Sequence, residues 1–134
     1  MNCIFCKIIK GEIPSFKIYE DEHTYAFLDI AKDVDGHTLV IPKKHVCNVL
    51  DCDCETLAHV SATVKKIANH YVENCDYEGV NILNATGESA QQTVMHLHFH
   101  IIPRKTSDGV DSWPHFNGAK NELEEMHKIL KLEK

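Results

Sequence analysis

The chain has 134 residues, 43% hydrophobic and 25% charged, with a formal net charge of −6. That is the size and composition of one ordinary domain with a real hydrophobic core, and it excludes a disordered or low-complexity chain. Twenty acidic against fourteen basic residues also argues against a general nucleic-acid or anionic-membrane binder, while a small anionic ligand needs only a local site.

The N-terminus, Met1-Asn2-Cys3-Ile4-Phe5-Cys6, has no charged leader before a long apolar run, and no run of about eighteen apolar residues occurs anywhere. A soluble, cytoplasmic protein is expected. The six cysteines then read as reduced thiols or metal ligands rather than a disulfide framework.

In chain order, Cys3 to Lys10 predicts a short helix, because Ile4, Phe5, Ile8 and Ile9 recur at helical spacing and Gly11 supplies a stop. Phe16 to Glu20 and Thr24 to Asp29, separated by Asp21-Glu22-His23, predict an antiparallel hairpin. His37 to Ile41 is a buried strand closed by Pro42, followed by the basic turn Lys43-Lys44-His45. From about Asp53 to Asn74, Leu57, Val60, Val64, Ile67, Ala68 and Tyr71 form one stripe of a long amphipathic helix with Asp53 as its N-cap. Gly79 to Asn84 is a fourth strand. The polar loop Ala85 to Thr93 could lay backbone N–H groups and amide side chains against phosphate oxygens, although polar connections commonly look like this.

His96-Leu97-His98-Phe99-His100-Ile101-Ile102 is the fifth strand, and its strict alternation puts three imidazoles on one face and Leu97, Phe99 and Ile101 on the other. Ten histidines in one chain will place some together by chance, but three in alternate positions opposite a core face favour a function. A loop-like tail from Ser107 to Gly118 carries Trp113. A last helix from about Ala119, striped by Leu123, Met126, Ile129 and Leu130, is expected to pack on the domain or on a second subunit. Cys3-x-x-Cys6 is half of a tetrahedral zinc site, completed by His45 and one histidine of the row; a redox pair and two unligated thiols are the rival readings.

The histidine row resembles the His-φ-His-φ-His-φ-φ signature of the histidine triad (HIT) superfamily of nucleotide hydrolases and transferases. The resemblance includes Ile4-Phe5-Cys6-Lys7-Ile8-Ile9, Ile13-Pro14, Ala26-Phe27-Leu28-Asp29-Ile30, His37 through His45, Asn84 and Gln92-Thr93-Val94-Met95. It implies an α+β domain over residues 1–134, a five-stranded antiparallel sheet with one long helix, a short N-terminal helix and a C-terminal helix, and a homodimer. It also implies hydrolysis of a purine nucleoside 5′-phosphoryl bond, in an AMP phosphoramidate or a diadenosine polyphosphate, through a nucleotidyl-histidine on His98.

By the same resemblance His100 and His37 support the phosphate and orient the nucleophile, and Asn84, Gln92 and Thr93 surround the scissile bond. Asp29 holds the ribose hydroxyls, and Ile4, Phe5, Ile8, Phe27 and Ile30 line the purine slot or simply belong to the core. Members retaining the N-terminal cysteine pair close a structural zinc site with it, here Cys3, Cys6, His45 and His96. Gln91 stands where phosphoramidase-type members usually have glycine. Two other classes remain as alternatives: a zinc-dependent phosphohydrolase with His96 and His98 as open-site ligands, and a nucleotide-binding regulatory module with little turnover.

Overall fold

A computed structural model of the chain describes residues 2–133. Its centre is a five-stranded antiparallel sheet built from β1 (Lys17–Glu20), β2 (Thr24–Leu28), β3 (Thr38–Pro42), β4 (Gly79–Leu83) and β5 (Phe99–Arg104), in the order β1-β2-β3-β5-β4. With α1 (Ile4–Ile9), α2 (Cys54–Asn74) and α3 (Leu123–Leu130), this is the α+β architecture expected from the sequence.

Both faces of the sheet are covered, which is why β2 and β3 read as continuous buried runs rather than alternating ones. Ala26, Val40 and Ile101 face α2 and pack with its Val60, Val64, Ile67 and Tyr71. Tyr25, Phe27, Leu39 and Ile41 face the other way and pack with Cys3, Phe5 and Ile8 of the N-terminal segment. Full burial of each such aliphatic or aromatic side chain contributes about 1.5–3 kcal/mol, so α1 is held by its core face rather than by its few backbone bonds.

Asp53 caps α2 as predicted, its carboxylate accepting from the Thr56 amide at 3.0 Å and pairing with Lys44 at 2.9 Å. The buried hydroxyls are paired between the sheet and α2, Thr24 with Thr63 at 2.7 Å and Thr38 with Tyr71 at 2.6 Å.

Of the boundaries that differ from the sequence reading, four bear on the site or on the outer surface. β3 runs Thr38–Pro42, so His37 stands just before it and Pro42 lies inside it, opposite Thr24. β4 ends at Leu83, and Asn84 turns its side chain onto the His98 carbonyl just before β5. β5 begins only at Phe99, because its pairing with β3 stops at Val40↔Phe99 and the preceding residues bond elsewhere. There the Leu97 amide donates to the Val46 carbonyl at 2.8 Å, and the His98 carbonyl accepts from Asn84 at 3.0 Å. The last helix starts at Leu123 instead of Ala119 and buries nothing; Leu123, Ile129 and Leu130 remain exposed, and only Met126 is half-buried. It therefore does not pack on the sheet.

Candidate active site and metal centre

The register of β3 against β5 builds the site. Leu39 pairs with His100, so His37, two residues earlier, is the diagonal neighbour of His100 on the same face. The two rings meet Nε2 to Nδ1 at 2.8 Å. On its other side His37 Nδ1–H donates to Asp33 Oδ1 at 2.9 Å, and Asp29 Oδ2 stands 3.8 Å from His37 Nε2. The hydrogen bond from His37 holds the Asp33 carboxyl below its usual range.

His98 is fixed from both sides of its residue. Its Nδ1–H donates to the His96 carbonyl at 2.8 Å while its own carbonyl accepts from Asn84. A carbonyl can only accept, so the proton of neutral His98 sits on Nδ1 and Nε2 carries a bare lone pair. Burial lowers the His98 pKa and, with His98 and His37 adding, depresses His100 to about 4. Both rings are therefore neutral near pH 7. Phe5 lies edge-on to His98 with ring centroids 5.2 Å apart, and His98 and His100 are 5.0 Å apart.

His96 is turned into a different environment. Its Nε2–H donates to the Pro42 carbonyl at 2.9 Å, which leaves Nδ1 bare. That atom lies 3.4 Å from Cys3 Sγ, 3.6 Å from Cys6 Sγ and 3.1 Å from His45 Nδ1, and Cys6 Sγ lies 3.3 Å from His45 Nδ1. A tetrahedral zinc ion with ordinary bond lengths would space sulfur from nitrogen by about 3.6 Å and nitrogen from nitrogen by about 3.3 Å. The donor set and its spacing fit such an ion. Burial and the adjacent Cys3 push the Cys6 thiol up, so a thiolate there requires a neighbouring cation. The cysteines reach this point because Cys3 is the N-cap of α1 and Cys6 lies one turn on, its amide donating to Cys3 Sγ at 3.3 Å.

The remaining candidate residues are spread more widely. Phe5, Ile8 and Phe27 are buried core members, Ile4 is half-exposed, and Ile30 is 79% exposed on the β2–β3 loop. Asp29 uses Oδ1 to accept the Ala31 amide at 2.8 Å. Gln92 is buried and its amide is fully engaged: it donates to the Cys47 and Val94 carbonyls and accepts from the Gly87 amide and Asn48. It ties its loop to the segment that follows β3. Thr93 is exposed and lines a cavity of about 680 Å³ beside Cys3, Ile4 and His45. A second cavity of about 450 Å³ is lined by Asp33, His37, Asn84, Gln91 and His100. Its outer wall is the tail at Val110–Ser112, tied down by Arg104, which is bidentate to Asp108 and bonds Asn81 and the Val110 carbonyl.

Two residues that the sequence reading did not single out matter here. Asp33 is one polar residue of a polar loop, and only its i,i+4 spacing to His37 hints at a pair. Gly36 has φ +78°, and a Cβ there would lie 2.8 Å from Pro103 Cγ, so only glycine lets the loop deliver His37 to the sheet. Gln91, in the place of the usual glycine, adopts the left-handed conformation at φ 74°.

Similarity to known proteins agrees with this geometry. The family model for the HIT domain matches residues 10–107. The Protein hit of Bacillus subtilis is 53% identical over 103 residues, covering 77% of this chain and 71% of its own. The adenosine 5′-monophosphoramidase HNT1 of Candida albicans is 42% identical over 142 residues, covering 98% of this chain and 91% of its own. The crystal structure of a Zn-bound histidine triad family protein from Mycobacterium smegmatis superposes with a TM-score of 0.78 at 40% identity, covering 84% of this chain and 81% of that one. The chain belongs to the HIT family.

Proposed function

We propose that the chain is a nucleotide hydrolase that cleaves a purine nucleoside 5′-phosphoryl bond by way of a nucleotidyl-histidine on His98, releasing AMP. The observation that carries this reading is the bond from His98 Nδ1–H to the His96 carbonyl, which leaves a neutral, buried Nε2 lone pair beside His100. Such a nitrogen attacks phosphorus without first losing a proton, and once bonded to it becomes a good leaving group for water to displace. His100 and His37, paired beside His98, are read as the acid–base pair, Asn84 holds the His98 backbone, and Asp29 is read as the acceptor of the ribose hydroxyls. Phe5, with Ile4, Ile8, Phe27 and Ile30, is read as the apolar wall for the base, and Thr93 with the loop amides as donors to the phosphate. The phosphoramidase named among the relatives favours an AMP phosphoramidate over a diadenosine polyphosphate.

The test is a side-by-side assay of adenosine phosphoramidate and diadenosine tetraphosphate with wild type and His98→Asn. Full activity in the variant would remove the nucleophile, and tight AMP binding without turnover of either compound would favour the regulatory-module reading.

Cys3, Cys6, His45 and His96 would hold a structural zinc ion, which supplies no reaction step and ties α1 to the approach to β5. The Zn-bound relative supports this assignment. It also argues against a zinc phosphohydrolase with His96 and His98 as ligands, since His96 Nδ1 turns to the sulfurs and His98 Nδ1 is engaged with a carbonyl. We further read the whole chain as one such domain, cytoplasmic and homodimeric. Support for the dimer is the unpaired edge of β4 with Ile82 half-exposed and the uncovered stripe of α3; a monomer in analytical ultracentrifugation at micromolar concentration would overturn it.

A further inference from the structure

We propose that Asp33 is a positioning residue for proton transfer, holding His37 so that one proton passes through His37 and His100 to the leaving group and back. This rests on the hydrolase reading above. The three groups form an unbroken line: Asp33 Oδ1 to His37 Nδ1 at 2.9 Å, and His37 Nε2 to His100 Nδ1 at 2.8 Å, ending at His100 Nε2 beside His98. His37 is nearly buried, whereas Asp33 is half-exposed on the β2–β3 loop and contributes nothing to the core. Its carboxylate fixes the Nδ1–H tautomer of His37 and offsets a positive charge on that ring.

Asp29, His37 and His100 also bring their donor atoms within 4.8 Å of one another, which could be taken for a metal site. The 2.8 Å contact between the two ring nitrogens argues against it, since two nitrogens on one zinc ion would stand about 3.3 Å apart, whereas a shared proton accounts for the short approach.

The proton balance closes over one turnover. The cycle starts with His37 doubly protonated against Asp33 and His100 carrying its proton on Nε2. When His98 Nε2 attacks phosphorus and the P–N bond breaks, His100 Nε2–H protonates the departing amine and takes His37's Nε2 proton on its own Nδ1. His37 is left neutral, its Nδ1–H still on Asp33. When water cleaves the nucleotidyl-histidine, the water proton returns to His100 Nε2 and the Nδ1 proton returns to His37. Asp33 never leaves its hydrogen bond; it sets the direction of the line and stabilises its charged end.

The groups facing His37 are Asp29 and Asp33 from the β2–β3 loop and His98 and His100 from β5 and its approach, with Asp111 of the tail lining the same cavity. Asp33→Asn keeps an oxygen for His37 Nδ1–H but removes the charge; Asp33→Ala removes both. Two substrates separate proton delivery from simple disturbance: an AMP alkylamidate, whose amine must be protonated to leave, and the AMP 4-nitrophenyl ester, whose phenolate leaves unprotonated. Both are read in the first turnover.

For the amidate, kcat/KM should fall about tenfold in Asp33→Asn and about a hundredfold in Asp33→Ala. The ester burst should stay within about twofold of wild type. Equal losses on both substrates, or no loss on the amidate, would overturn the proposal. His98→Asn, measured alongside, keeps the two readings apart: activity surviving there sinks the nucleophile, while an unchanged Asp33→Asn against a dead His98→Asn sinks the relay alone.

Discussion

The two ends of the histidine row are chemically alike in sequence and opposite in surroundings. At one end His96 meets two sulfurs and a second imidazole nitrogen, with its other nitrogen donating to the Pro42 carbonyl. At the other end His98 and His100 meet a ring that is itself paired to a carboxylate. The first environment gathers bare lone pairs around one point, as a cation requires. The second lines ring nitrogens up behind a carboxylate, as the proposed proton transfer requires. The difference shows that a histidine's role is set by what its second nitrogen bonds and by the charge behind that partner.

The sharpest way to break this division is at the proposed nucleophile. His98→Asn should reduce turnover by at least about a thousandfold with little change in thermal stability, measured by single-turnover kinetics and calorimetry. Cys3→Ser should do the reverse. It should lose bound zinc, read by metal analysis, and destabilise the fold by about 3 kcal/mol, or roughly 10 °C in Tm. If that variant kept its stability but lost activity, the two ends would be one catalytic group after all.

Gly36→Ala tests whether the loop that carries Asp33 also sets His37. With a Cβ forced against Pro103 at φ +78°, we expect a loss of about 2 kcal/mol together with a drop in kcat. A smaller effect belongs to His100, which the fold keeps neutral down to about 4 while an unfolded chain would protonate it near the ordinary value of 6.5. Its contribution to stability is therefore complete above pH 6.5 and lost as the pH falls through about 4. Denaturant unfolding of His100→Asn should show a flatter acid limb, by on the order of 1 kcal/mol once solvent access to the ring is allowed for. Smallest of all, Ile129→Glu with Leu130→Glu should shift the stability of the fold by no more than about 0.5 kcal/mol, because α3 buries nothing; its effect should appear only in sedimentation, as dissociation of a dimer.

Where the sequence reading erred, the cause was a long-range bond overriding a local pattern. The alternation from His96 to Ile102 predicts a strand throughout, yet the ladder begins at Phe99, because Leu97 bonds Val46 and the side chain of Asn84 takes the place of a ladder partner at His98. Gln92, matched to a polar position around the phosphates, has its amide engaged by Gly87 and Val94 nearby and by Cys47 and Asn48 from the segment after β3, which no local pattern foretells. The apolar stripe of the last helix was legible, but periodicity says only that a face seeks a partner, and the sheet does not supply one.

The sequence by itself determined which side chains share a face, because the period of two along a strand and the 3.6-residue turn of a helix are local properties of the backbone. Within single elements, Leu97 with Phe99 and Ile101 on β5 and its approach, the stripe Val60, Val64, Ile67 and Tyr71, and the cap at Asp53 followed from spacing. Only the tertiary structure decided what each histidine faces. Cys3 comes to His96 from 93 residues away, and His37 reaches His100 from 63 residues away through the pairing of β3 with β5. Asp33 becomes a partner only because Gly36 lets its loop close against Pro103. The pairs Cys3–His96 and His37–His100 are brought together by packing over long loops, and no local pattern encodes them.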